Sequence, residues 1–203
     1  MATIAILLFD GVDIIDSGGP YEVFLTASRL QRRRGEPAGF DIVLVSPGGQ
    51  DVKAYGGMTI TALRSPQEVG DVDVVVVPGT IDVDTALADP LLMDSIRQLA
   101  KSTELLTSVC TGAFLLAHAD VLHGLPATTH WEDLDGLAAT GQVGAVQSGR
   151  RWVDAGNVVT SAGLTSGMHM ALHVVARLAS RELAVATARQ LDLPFDPEGV
   201  YAA

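Results

Sequence analysis

The chain has 203 residues, enough for one full core, with 48% hydrophobic residues and a formal net charge of −11 at pH 7. That apolar content excludes a disordered chain, and the excess of carboxylates repels phosphate backbones and anionic bilayers, so neither nucleic acid nor a membrane is expected as a partner. A single cysteine, Cys110, excludes an internal disulfide and any metal site built from several thiolates, and it suits a cytoplasmic protein.

Residues 3–9 form an apolar run with no cationic leader before it, which predicts a buried strand rather than a signal peptide. A loop from Asp10 through Asp16 to Gly18-Gly19-Pro20 is expected next, followed by a helix over residues 20–33 with proline in its first turn. Arg32, Arg33 and Arg34 then read as a solvated helix end, not a nucleic-acid patch. Gly35-Glu36-Pro37 ends that helix, residues 40–46 predict a second strand, and residues 48–57 a loop or hairpin with short strands near Val52 and Ile60. The valine run over residues 72–77, closed by Pro78-Gly79-Thr80, has the pattern of a central strand entering a turn.

A helix over residues 90–100 is followed by an apolar strand over residues 105–109 that stops at Cys110-Thr111-Gly112, where helical spacing resumes. Further expectations are a short strand at residues 127–129, a helix after His130, a β segment over residues 151–160, and helices from about residues 165 and 182. No linker interrupts this alternation, which predicts one α/β domain over residues 1–203, a doubly wound, mostly parallel sheet with helices on both faces.

In such a sheet, ligands bind beyond the carboxyl ends of the strands, which gathers Asp16, Gly79-Thr80 and Cys110-Thr111 on one edge. Cys110 has the setting of a nucleophile elbow: strand before it, helix behind it, and Gly112 to let the backbone turn. A helix N-terminus there would lower the thiol pKa from about 8.5 toward roughly 3.5–7.5. The N–H of Thr111, with one from Gly79 or Thr80, is a candidate oxyanion site, although Gly79 could equally just turn the chain. Asp16, flanked by Ile14-Ile15 and glycines, either caps the next helix or shares a proton with Cys110 as a general acid and base. His130 either orients Cys110 or hydrogen-bonds at the rim. His169 and His173 have a spacing that can bind zinc, but no third ligand accompanies them and no metal is expected.

Six blocks in order resemble the ThiJ/PfpI superfamily, flavodoxin-like relatives of class I glutamine amidotransferase domains, and most closely its isonitrile hydratase branch. They are residues 7–9 (LLF), 16–23 (DSGGPYEV), 77–79 (VPG), 107–112 (TSVCTG), 127–131 (ATTHW) and 162–167 (AGLTSG), the last adding Gly163 as a candidate site residue. The resemblance implies Cys110 as nucleophile, Asp16 as its acidic partner, Thr111 as an oxyanion or supporting residue, a homodimer, and hydration of a small-molecule isocyanide without a cofactor. Thr80 stands where the family usually has a second glycine. The same motifs occur in sensor halves of arabinose-regulator-type transcription factors, so a small-molecule or redox sensor is the non-enzymatic alternative, and glyoxalase-type chemistry a third.

Overall fold

Apolar runs of six or seven residues between turn-forming sequences become the long strands of the computed structural model, which describes residues 1–37, 39–61 and 63–201. In chain order the elements are β1 (Ala2–Leu7), α1 (Ile14–Arg33), β2 (Phe40–Val45), β3 (Val52–Lys53), β4 (Thr59–Ile60), α2 (Pro66–Val69), β5 (Val72–Val77), α3 (Val83–Ala88), α4 (Pro90–Lys101) and β6 (Thr103–Val109). They continue with α5 (Gly112–His118), β7 (Pro126–Ala127), α6 (Leu134–Ala139), β8 (Ala145–Val146), β9 (Trp152–Asp154), β10 (Val158–Ser161), α7 (Ser166–Leu178) and α8 (Arg181–Gln190).

The main sheet has the order β2-β1-β5-β6-β10-β9 and is parallel except for β9, which runs against β10. This is a doubly wound, flavodoxin-like α/β fold. Helices α1, α7 and α8 pack on one another, α5 packs on α3 and α4, and both groups reach the central strands, so the sheet lies between two helical layers. Burial on both faces explains why β5 is almost entirely valine and why Val74, Val75, Val76 and Val77 have no exposed surface. The register sets Val77 beside Ser108 and Ser161 beside Val109, so the carboxyl ends of β5, β6 and β10 finish at one level. From β1 the chain goes to β2 on one side and later to β5 on the other, which puts the topological switch point between β1 and β5.

Helix α1 starts earlier than the expected residue 20. Asp13 caps it, its carboxylate accepting the Ile15 N–H at 3.1 Å, and Pro20 lies inside the helix. At the seventh helical position, beyond the four unpaired donors of the helix start, proline removes the bond an N–H there would have made to the Asp16 carbonyl. Asp16 therefore belongs to the first turn of a helix, not to a loop, and the capping role falls to Asp13. Ser28 fixes the same helix to the sheet, donating to the Phe40 carbonyl at 2.7 Å and accepting the Phe40 N–H at 2.9 Å. Arg32, Arg33 and Arg34 do end α1, all exposed.

The β segment expected over residues 151–160 is a hairpin of β9 and β10, turned where Gly156 adopts φ 95° and donates to the Asp154 carboxylate at 2.8 Å. Three short elements have no counterpart in the sequence expectations: α2, closed by a Ser65–Glu68 capping box, α3, capped by Asp82, and β8. Among the described residues, no helix is long and apolar enough to cross a membrane.

Candidate active site

The strand–turn–helix at β6–α5 forces an unusual backbone. Cys110 has φ 56°, in the left-handed region that costs a non-glycine residue roughly 1 kcal/mol or more. Three contacts hold it there: its N–H donates to the Ser161 carbonyl at 3.1 Å, and its own carbonyl accepts the Thr129 hydroxyl at 2.8 Å and the Ala113 N–H at 3.3 Å. Gly112 completes the turn, since a Cβ there would overlap the Val77 carbonyl and stand 2.8 Å from that of Pro78.

Below the turn, Thr111 clips the elbow to the loop after β5. Its hydroxyl donates to the Thr80 carbonyl at 2.7 Å and accepts the Thr80 N–H at 2.8 Å. Gly79 donates its N–H to Asp16 Oδ2 at 3.1 Å. Both N–H groups expected to help stabilise an oxyanion are thus spent on side chains of the site, which corrects that expectation for Gly79 and Thr80. The Thr111 N–H is directed at the Cys110 sulfur and favours its anionic form. Gly79 is needed for close approach rather than for turning: a Cβ would lie 2.6 Å from Thr111 Oγ1 and 2.8 Å from Asp16 Oδ2. Thr80 turns its own hydroxyl away, to the Gly11 carbonyl at 2.8 Å.

Asp16 has no exposed surface. Burial, then the Asp13 charge, pushes its carboxyl up to about 7, while the Gly79 N–H and the Cys110 thiol offset part of the rise. Its Oδ1 has no hydrogen-bond partner of ordinary geometry among the described residues. The thiol moves the same way: burial first, then the Asp16 charge, pushes Cys110 up to about 12. The expected low thiol pKa is therefore overturned. A seven-residue helix supplies little dipole, whereas a neighbouring carboxylate and the loss of water both disfavour a thiolate.

The sulfur opens into a pocket of about 280 Å³ whose walls include Asp13, Ile81, His130, Glu132, Asp133 and Leu164. Gly163 abuts both partners across it, since a Cβ there would overlap His130 Cδ2 and lie 3.0 Å from Cys110 Sγ. His130 forms no hydrogen bond to Cys110 among the described residues. Its Nδ1 instead accepts the Glu132 N–H at 3.4 Å and stands 3.6 Å from the Glu132 and Asp133 carboxylates, which is the rim role. A wider depression of about 520 Å³, lined by Ala2, Phe40, Asp73 and Glu104, lies at the opposite, amino ends of the strands, far from any of these groups. His169 and His173 serve packing: His173 bonds the Asp154 carboxylate at 2.7 Å and stacks on Trp152, while His169 is buried.

Asp13, Thr129 and Asp133 belong to this site without having been singled out from the sequence. Asp13 was findable as an Asp just before a helical period. Thr129 falls within the 127–131 block, but neither it nor Asp133 carried a signal of its role, which depends on the fold bringing residues 129–133 over the elbow.

A parallel α/β sheet with a cysteine on a strained elbow and a buried carboxylic acid beside it defines the class, and the comparisons agree. Residues 2–177 match the DJ-1/PfpI family, and the chain belongs to that family. It is 32% identical over 197 residues to the isonitrile hydratase of Pseudomonas putida, covering 95% of this chain and 81% of that protein. It is 28% identical over 184 residues to the HTH-type transcriptional regulator GbdR of Pseudomonas aeruginosa, covering 91% of this chain but only 48% of the regulator. Among solved structures, a ThiJ/PfpI family protein from Pseudomonas syringae superimposes with a TM-score of 0.82 at 27% identity, covering 97% of this chain and 76% of that one.

Proposed function

We propose that the protein is a cysteine-dependent hydratase that converts an isonitrile to an N-substituted formamide, with Cys110 as nucleophile and Asp16 as the group that moves the proton. The observation that carries this reading is the Cys110–Asp16 pair, in which thiol and carboxyl both hold their protons more tightly than usual at the floor of a small pocket. Near neutral pH such a pair keeps one proton between two acids, and an ionised Asp16 can take it from the thiol.

The steps balance with one water and nothing else. Sulfur forms a bond to the terminal isonitrile carbon, and the proton that left the thiol passes from Asp16 to that same carbon, giving a thioimidate. Asp16, ionised again, removes a proton from water as its oxygen adds to the carbon. The nitrogen receives that proton, and as the C–S bond breaks the hydroxyl proton passes by way of Asp16 to the departing sulfur, which releases the formamide and restores the thiol. The Thr111 N–H supports the sulfur as negative charge grows on it.

The test is formamide release from simple alkyl and aryl isonitriles by the parent protein, Cys110→Ala and Asp16→Asn. Turnover by the parent alone is expected. No turnover by the parent, or equal turnover by Cys110→Ala, rejects the assignment.

The identity to GbdR favours one second reading, a domain that binds a small molecule in the same pocket without turning it over. The raised thiol pKa disfavours ready oxidation, so a sensor of this kind would work by binding rather than by redox chemistry. Ligand-induced stabilisation in the absence of turnover would support it.

A further inference from the structure

The walls of the Cys110 pocket are sharply biased in charge. Asp13, Glu132 and Asp133 line it, while no lysine or arginine does so among the described residues. His130 is the single lining group able to carry positive charge, and it lies 3.6 Å from both Glu132 and Asp133, so a protonated His130 offsets one carboxylate of three. The remaining walls include Ile81, Val83 and Leu164, which offer apolar contact without any anion-binding donor. Behind the pocket wall, Asp16 is wholly buried and its charge acts directly on the Cys110 thiol, adding a fourth acid beside the reacting atom.

We propose that this pocket selects its substrate by charge, admitting neutral and cationic electrophiles to Cys110 and turning away those that carry a carboxylate. The inference rests on the assignment above of Cys110 as the reacting group. Several observations point the same way. Asp16, Asp133 and Asp13 each act on the thiol through their charge, so the negative field extends to the reacting atom itself. A carboxylate entering the pocket would lose water and meet like charge at once, with no guanidinium or ammonium to compensate. A cationic or neutral group would meet carboxylates or aliphatic walls. The substrate class that follows is an isonitrile whose other end is an uncharged alkyl or aryl group, or bears an ammonium, and not an isocyano acid.

The experiment separates this from the hydratase assignment by using reagents that need no turnover. Cys110 is alkylated with iodoacetamide and with iodoacetate, each rate being divided by that of 2-mercaptoethanol with the same reagent. In both reactions sulfur displaces iodide, a C–S bond replacing C–I, and the thiol proton leaves to solvent. At low salt the normalised rate with iodoacetate should fall about tenfold or more below that with iodoacetamide. High salt, Glu132→Gln and Asp133→Asn should each narrow the gap. Equal normalised rates for the parent overturn the proposal, as does a gap that neither salt nor either substitution changes. A thiol that reacts with neither reagent when folded, but with both when denatured, also overturns it, because the pocket then admits no electrophile. Charge-ordered alkylation without formamide formation would sink only the hydratase assignment.

Discussion

Asp16 carries its raised pKa into stability as well as chemistry. A carboxyl that ionises near 3.8 in the unfolded chain and near 7 in the folded one leaves the folded state holding the extra proton between those values. Stability is therefore fully present below about pH 4 and falls as pH rises toward 7, by at most a few kcal/mol. Asp16→Asn keeps an acceptor for the Gly79 N–H but removes the charge. It should be more stable than the parent in urea at pH 8 and should lose that advantage at pH 4; an advantage of the same size at both would sink the argument. In the parent, kcat/KM for an isonitrile should rise with pH on an apparent pKa near 7, a value that belongs to the Asp16–Cys110 pair, and a profile flat through that range would take Asp16 out of the proton transfer. Gly163→Ala addresses the neighbouring wall. Its Cβ would press on His130 and stand 3.0 Å from Cys110 Sγ. The neighbours it meets are side chains and not backbone, so the fold should survive while Cys110 alkylation and turnover fall at least about tenfold.

At the scale of elements, the site is held by side chains that bridge separate strands and helices. Thr111 opens α5 and bonds both backbone groups of Thr80 beyond β5, while Thr129, beyond β7, bonds the carbonyl of Cys110. Thr111→Val keeps the shape but leaves the buried Thr80 N–H and carbonyl without those partners, so it should lower unfolding free energy by about 1–3 kcal/mol. A change within about 0.5 kcal/mol in a denaturant titration would mean that the clip contributes nothing. The same logic explains why β6 can end so abruptly. The turn at Cys110 is strained, and bonds from β10, α5 and Thr129 together keep it in place.

For the molecule as a whole, the net charge of −11 sets the sign of salt effects. The ion pairs among the described residues are few: Arg97 with Asp94 at 3.0 Å is exposed, and the others gather on two half-buried groups, His130 and Asp154. Self-repulsion therefore outweighs surface attraction, and screening should raise the melting temperature between low and physiological salt. A melting temperature that falls over this range would reverse that balance.

Much of this architecture was legible in the residues themselves. Short valine- and leucine-rich runs between turn sequences fix the long strands, because only strands of that length can bury both faces. The lone cysteine before Thr-Gly marks the elbow. Sequence also placed Asp16, Gly79 and Cys110 on one edge, since their runs end on strands that a parallel sheet must align. What only the tertiary structure decided was the chemistry of that edge. The helix beginning at Ile14 rather than Pro20 puts Asp16 wholly inside the protein, and burial raises both its pKa and that of the thiol, which a reading of the helix N-terminus alone takes in the opposite direction. The partners of the Gly79 and Thr80 N–H groups, and the acidic wall from Asp13, Glu132 and Asp133, arise from contacts between residues tens of positions apart. Local sequence encodes an element's period and ends, but desolvation and charge at a site depend on what the folded chain brings next to it.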